Sequence, residues 1–477
     1  MQENLRNIKA NQIRDVIRYL NKFQNAKIVI YIDDEVIDSP LFLSHMQDIA
    51  LIHQAGLKVA IVPGSRKRID QVLIDSKISC KYHSGIRITE EDAMPQIKMA
   101  AFDISNIVMT SLAAHQITAT IGNWVRARSK GIIEGIDYGT AGEIDKLQTQ
   151  AILNTLESGF IPIFPCIGWN SSGKPYNISS VNLAKEVAVN IKADKLFYVM
   201  KNAQISSDIF EIPKNIAFSE YNEIPAMDLQ ELDSFFAANP LSLENKTSTN
   251  DSSSISGSSI SACSEFSDDS TALASSVNTK NKILSLLHAS YEACKKGVTR
   301  AHILNGSLEG ALPCEIFSEL GSGTMIFSRD YGNLRPMTEQ DIPAVLSVME
   351  PFIQKKILLP RSTEKMQESF GDYIVYEIDG CIRACAALHS YPDNQAEIAA
   401  LAVSENFSSL GIGPKLVNTL IEKARKESNK SVFILTTQTG DWFQGLGFQA
   451  DTIDSLPQER RSLWTPERNS KVFRLSL

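Results

Sequence analysis

Between residues 10 and 160, short apolar runs alternate with amphipathic helical stretches, and this alternation restricts the folds open to the chain. "QIRDVIRYLNKF" carries Ile13, Val16, Ile17 and Leu20 on one helical stripe. "KIVIYI" follows as a strand. "LFLSHMQDIALIHQAG" reads as a helix ending at Gly56, a C-cap glycine. "LKVAIV" is the next strand, and "GFIPIFP" (159–165) and "DKLFYVM" (194–200) are two more. Strands that are apolar on both faces, separated by helices, predict a mainly parallel sheet covered on both sides. The fold class is therefore α/β, and 477 residues imply about two or three domains.

The first strand ends in "DDEVI", which places Asp33 and Asp34 where a nucleotide-binding α/β domain carries glycines that let backbone N–H groups approach phosphates. Two carboxylates beside a triphosphate cost about 1 to 4 kcal/mol per close pair. The pair reads as a solvated turn.

Residues 246–279 are dominated by serine and threonine, with few apolar residues. Such a stretch cannot bury enough surface to offset its ordering entropy, so it predicts a disordered insertion. A second domain starts near 334. In it, "DYIVYEIDGCIRACAAL" predicts a hairpin around Asp379-Gly380. "AEIAALAVS" is a strand. "GIGPKLVNTLIEKARK" is a helix with Leu416, Val417, Leu420, Ile421 and Ala424 on one stripe and Pro414 in its first turn. Gly411 and Gly413 just before that helix form an anion cradle of free N–H groups at a positive dipole end.

The order hairpin, strand ending "LAV", G-x-G, helix, strand and "WFQGLGF" resembles the GNAT acetyltransferase superfamily. With "TTQTGDWFQGLGF", "DSLPQERR" and "RNSKVF", it is similar to the C-terminal domain of the bacterial N-acetylglutamate synthase family. The first part resembles that family's amino-acid-kinase-like domain. The stretches that carry this are "LIHQAGLKVAIVPGSRKRID", "YHSGIRITEEDA", "GIDYGTAGEID", "YNISSVNLAKEVAVNIKADKL" and "CKKGVTRAHILNGSLEGALPCEIFSELGSGTMI". The resemblance implies an amino-acid-kinase-like domain over 1–330, interrupted by the insertion, and a GNAT domain over 334–477. It also implies a silent kinase site. Tyr31, Asp33 and Asp34 stand where kinase relatives carry a lysine and two glycines, Val181 replaces a carboxylate, and "KNAQISS" replaces a nucleotide-site segment.

The implied reaction is acetyl transfer from acetyl-CoA to the α-amine of L-glutamate, the first step of arginine biosynthesis. An ammonium has no lone pair, so the reaction needs a base, which the resemblance assigns to Glu397. Thr436 stands where relatives carry a serine near the sulfur. Leu401, Ala402, Val403, Ser408, Ser409, Leu410, Gly411, Ile412 and Gly413 are the implied acetyl-CoA loop, with Ser408 in place of the usual Gln or Arg. Backbone N–H groups of Leu401 and Val403 polarise the thioester. Arg361, Arg460 and Arg468 match the glutamate-binding arginines, whose planar forks suit carboxylates. In the first domain Tyr19, Lys192, His302, Glu315, Gly321 and Gly323 match an L-arginine effector site.

Two alternatives stay open: a non-catalytic arginine-sensing regulatory protein and, against Tyr31, Asp33, Asp34 and Val181, an acetylglutamate kinase. No metal or permanently bound cofactor is expected. The net charge of −8 argues against nucleic acid as the main partner. No apolar run reaches the roughly 18 residues of a membrane span, and the N-terminus lacks a signal-peptide core. Seven cysteines without C-x-x-C spacing suit reduced thiols in a cytoplasmic protein. The N-terminal stripe suits packing on another subunit of a homo-oligomer.

Overall fold

The computed structural model describes residues 16–17, 19–213, 216, 222–240, 261–262, 272–317, 321–328, 332–378, 380–404, 407 and 411–477, without the side chains of 261–262 and 272–277. Most of the serine-rich stretch, together with Asp379, Ser408, Ser409 and Leu410, lies outside these residues. The chain forms two compact units, Met1–Ser328 and Arg329–Leu477.

The first unit is built on an eight-stranded sheet. Its spatial order is Ala226–Asp228, Thr324–Phe327, Arg300–Asn305, Lys195–Met200, Lys27–Ile32, Lys58–Pro63, Ile161–Ile163 and Ala119–Ile121. Neighbours run parallel except Arg300–Asn305 against Thr324–Phe327. The apolar runs serve two cores because side chains alternate across a strand. Val29 and Tyr31 pack with Leu183, Val187, Leu284 and Leu287, from the helices Ser180–Asn190 and Ala272–Lys295. Ile28, Ile30 and Ile32 enter the opposite core with Met46 and Ile49 of the helix Phe42–Gln54. Helices on both faces follow directly from strands with no polar side.

Two expectations need correction. The helix Ala272–Lys295 begins inside the stretch read as disordered. Its buried Ile283, Leu284, Leu286 and Leu287 anchor it. Ser261 and Ala262 pair antiparallel with Tyr82 and Lys81. Cys166, Cys294 and Cys385 are buried thiols, but Cys80, next to that ladder, is disulfide-bonded. Pairing between distant segments has no signature in cysteine spacing. Among the described residues no helix is long and apolar enough to cross a membrane.

The second unit is a seven-stranded sheet ordered Asn333–Pro336, Tyr373–Ile378, Cys381–Ser390, Gln395–Val403, Ser431–Thr436, Lys471–Ser476 and Gln449–Asp451. Only Gln395–Val403 against Ser431–Thr436 is parallel. The helix Ile412–Lys426 connects them and buries Leu416, Val417, Leu420, Ile421 and Ala424. Burying each of the larger aliphatics contributes about 1.5–3 kcal/mol.

Candidate active site

The parallel ladder runs only from Gln395 opposite Ser431 to Glu397 opposite Phe433. Beyond it the first strand continues to Val403 and the second to Thr436, so they part and open a wedge between them. A register shift against the preceding strand, between Cys385 and Ala387, accompanies a positive φ of 52° at Ala400. Such a bulge bends the strand and re-aims its groups. Leu401, Ala402 and Val403 therefore lie on the diverging arm. Gly411 follows with φ 62°, a left-handed conformation that glycine adopts without a Cβ penalty, and caps the helix Ile412–Lys426. Gly411 offers no side chain to cap this helix start, whose first N–H groups lack an intrahelical acceptor. Ile412 and Gly413 are buried in the first turn, with Gly413 against the Trp442 ring.

Glu397 sits on the paired arm and is 6 % exposed. Its Oε2 accepts from Arg460 Nε at 2.7 Å and from the Tyr391 hydroxyl at 3.2 Å. Arg460 comes from a short helix, Gln458–Arg461. Arg468 is close enough for the two guanidinium charges to interact. Burial and that neighbour lower its pKa, while its Nη2 donates to the Ile357 carbonyl at 2.7 Å and its Nε to Ser470 Oγ at 3.2 Å. Glu397, Arg460 and Arg468 are thus brought together from segments far apart in sequence. Arg361 Nη1 donates to the hydroxyl of buried Tyr373, and its guanidinium lies 5.6 Å from that ring. Thr436 ends its strand in a turn. Its Oγ1 accepts from the backbone N–H of Thr439 at 3.1 Å and is hydrogen-bonded to Thr439 Oγ1 at 2.8 Å, where either hydroxyl can donate. Sequence reasoning missed Tyr391, Tyr373, and the His389 Nδ1–Asp372 Oδ2 pair at 2.7 Å. His389 lies directly across the ladder from Glu397. The turn-forming run Pro392-Asp393-Asn394 after Tyr391 is the signal in the sequence that could have pointed to it.

In the first unit, His302 Nδ1 and Glu315 Oε1 are 2.6 Å apart and both side chains are buried. Glu315 Oε2 accepts from the N–H groups of Ser322 at 2.5 Å and Gly323 at 3.0 Å. A Cβ on Gly321 would come within 2.6 Å of that carboxylate, so the close approach requires glycine. Burial alone would push the Glu315 carboxyl up. The His302 contact, the Ser322 N–H and the Lys195 charge outweigh it and hold the group below its usual value. His302 stacks on Phe197 at 4.8 Å, and its buried Nε2 has no hydrogen-bond partner in the structure. Tyr19 is buried and stacked on Phe23, 5.9 Å between centroids. Lys192, in contrast, is exposed at a helix end. The lysine drawn into this cluster is Lys195, buried, with Nζ 4.0 Å from the Phe23 centroid. The strand Lys195–Met200 sets this, because it lies beside the strand carrying His302.

The Asp33-Asp34 turn corrects another expectation. Asp33 and Asp34 are 2 % and 5 % exposed, not a solvated turn. Asp33 accepts from Lys282 Nζ and the Tyr31 hydroxyl, each at 3.0 Å. Burial and Asp34 push its carboxyl up, against the pull of Lys282. Asp34 Oδ2 accepts from the N–H of Lys67 at 2.5 Å, in the first turn of the helix Arg66–Asp75. A carboxylate thus takes the place at a helix start where an anionic ligand group would bind. Val181 packs against the core as an apolar residue.

The sequence profile of the amino acid kinase family matches residues 26–305, and that of the acetyltransferase (GNAT) family matches residues 345–448. An amino-acid acetyltransferase of Actinobacillus pleuropneumoniae serotype 7 is 29% identical over 480 residues, covering 99% of this chain and 100% of the relative. One of Pseudomonas fluorescens strain Pf0-1 is 28% identical, with 98% and 99% covered. Among solved structures, the chain is similar to N-acetylglutamate synthase from Neisseria gonorrhoeae complexed with coenzyme A and L-arginine. That likeness has a TM-score of 0.71 and 26% identity, over 98% of this chain and 99% of the other. The same enzyme complexed with coenzyme A and N-acetyl-glutamate gives a TM-score of 0.55 and 27% identity, with the same coverage. The chain belongs to the amino acid kinase family, and the same polypeptide continues into a stretch that matches the GNAT acetyltransferases.

Proposed function

We propose that the chain is an N-acetylglutamate synthase, moving the acetyl group of acetyl-CoA onto the α-amine of L-glutamate as the first step of arginine biosynthesis. One observation carries this reading: the buried Glu397–Arg460 pair lies where two parallel strands part. The full-length similarity to amino-acid acetyltransferases supports it.

Glu397 takes a proton from the α-ammonium, directly or through water, and frees the lone pair. The amine attacks the thioester carbonyl carbon and the N–C bond forms. Charge on the carbonyl oxygen is met by N–H groups on the diverging arm, at Leu401 and Val403. The C–S bond then breaks, the nitrogen gives up its second proton to the thiolate through water, and the Thr436 hydroxyl, oriented by the Thr439 N–H, donates a hydrogen bond to the departing sulfur; the proton held by Glu397 returns to solvent. The pyrophosphate of acetyl-CoA lies on the helix start at Gly411–Gly413; Ser408, Ser409 and Leu410, outside the described residues, are the other positions that the family resemblance assigns to it. Arg460, Arg468 and Arg361 hold the two glutamate carboxylates.

L-arginine is the effector of the first unit. Glu315 supplies negative charge for a guanidinium, unpartnered His302 Nε2 supplies an acceptor, and Tyr19 lies on the N-terminal helix. Val16 and Ile17 on that helix are exposed, which suits packing on a second copy in a cytoplasmic homo-oligomer. Acetylglutamate kinase activity is disfavoured by Asp34 at the helix start and by Val181. A non-catalytic sensor is disfavoured by the intact Glu397–Arg460 pair. The test is thiol release from acetyl-CoA with and without glutamate, repeated with arginine. Absence of glutamate-dependent thiol release overturns the catalytic reading.

A further inference from the structure

Two donors, Arg460 Nε and the Tyr391 hydroxyl, converge on one oxygen of Glu397, Oε2. A base with one oxygen held by fixed donors presents the other, Oε1, to the amine. We propose that Tyr391 is a positioning residue for acetyl transfer: its hydroxyl, with Arg460, anchors Glu397 Oε2 and assigns Oε1 as the atom that takes the proton. The inference rests on the reading of Glu397 as the base.

The geometry favours a dedicated donor over incidental packing. Tyr391 follows the strand Cys381–Ser390, and its N–H donates to the Gln395 carbonyl at 2.8 Å, closing the turn that leads to Glu397. Its ring is held 5.9 Å from that of Phe433, the ladder partner of Glu397. The hydroxyl thus reaches the carboxylate from a fixed platform six residues away in sequence. Burial, and then the Glu397 charge and hydrogen bond, push the phenol well above its ordinary value, so it stays a donor through the working pH range. The other charged groups facing this pair are Arg460 and Glu459 from the short helix, Arg468 beside Arg460, Arg474 over the Phe433 ring, and His389, paired with Asp372, across the ladder. Among the described residues, Arg460 is the charged group that shares Oε2 with Tyr391.

Tyr391→Phe keeps the ring and its contact with Phe433 and removes only the hydroxyl. We expect kcat with glutamate to fall about tenfold while KM for acetyl-CoA is unchanged. In a Glu397→Gln background the same change is expected to add less than about twofold, because the two residues act as one unit. An unchanged kcat, or a loss as large in the Glu397→Gln background as in the wild type, overturns the proposal. Wild-type protein with no glutamate-dependent thiol release is a different result and overturns the catalytic reading itself.

Discussion

Arg460 donates from Nε to Oε2 of Glu397 at 2.7 Å, and the two side chains are only 15 % and 8 % exposed. The residues are 63 positions apart, on a strand and on a four-residue helix. Removing one partner of a buried pair leaves the other charge uncompensated, which costs about 3–5 kcal/mol. The arginine expected to hold substrate thus also holds the base.

Glu397→Gln keeps the shape and the acceptor oxygen but cannot take a proton. We expect kcat to fall by about 10²- to 10⁴-fold with acetyl-CoA binding nearly unchanged, read by thiol release and by calorimetry with coenzyme A. A variant turning over at the wild-type rate would remove Glu397 from catalysis.

Arg460→Lys retains a positive charge but loses the planar fork, so it cannot hold Glu397 through Nε while presenting parallel donors to a carboxylate. Steady-state kinetics should show kcat/KM for glutamate down by about tenfold or more, with KM for acetyl-CoA little changed. Equal losses for both substrates would point to a collapsed site instead.

Arginine should bind wild-type protein and bind Glu315→Gln much more weakly, since the isosteric amide loses the charge that faces a guanidinium. Calorimetry on both proteins decides it, with circular dichroism to verify folding. Unaltered binding by a folded variant eliminates Glu315 from the site.

Incubation with ATP, magnesium and N-acetylglutamate should yield no acyl phosphate. Asp34 accepts from the N–H of Lys67 and Asp33 pairs with Lys282 Nζ at 3.0 Å, so a helix N–H and a lysine beside this loop already face carboxylates where a phosphate would have to sit. Hydroxamate formation above background would contradict this.

Asp341 offers a pH test of stability. Arg335 donates to it through Nη1 at 2.7 Å and Nη2 at 2.9 Å, and Thr338 adds its N–H, so the carboxyl is held well below the usual carboxylate range. A depressed folded-state value means stability that is present above the unfolded aspartate value, about 3.9, and lost as pH falls toward the folded one. Asp341→Asn should therefore melt lower than wild type at pH 7, with the gap narrowing steadily below about pH 4. A gap independent of pH would mean that the charge contributes nothing.

The sequence by itself determined whatever depends on neighbours along the chain. Apolar runs such as Lys27–Ile32 and Lys58–Pro63 are strands because no other element satisfies their backbone while burying both faces. The helix at Ile412–Lys426 was legible from its stripe, and the turn at Gly380 from its dipeptide. The candidate residues Glu397, Arg460, His302 and Glu315 were legible only through resemblance to a family. Tertiary structure alone decided which groups meet. Lys282 reaches Asp33 across 249 residues and turned an expected solvated pair into a buried, neutralised one. A strand register put Lys195, a lysine that the sequence reading did not single out, beside the Glu315 cluster. Parting strands and a bulge at Ala400 cannot be read from "AEIAALAVS", because the bulge arises only where the facing strand shifts out of register. The physical reason is common to all three: a charge, a hydrogen bond or a ladder acts through space over a few ångströms, and the chain distance between partners carries no trace of it.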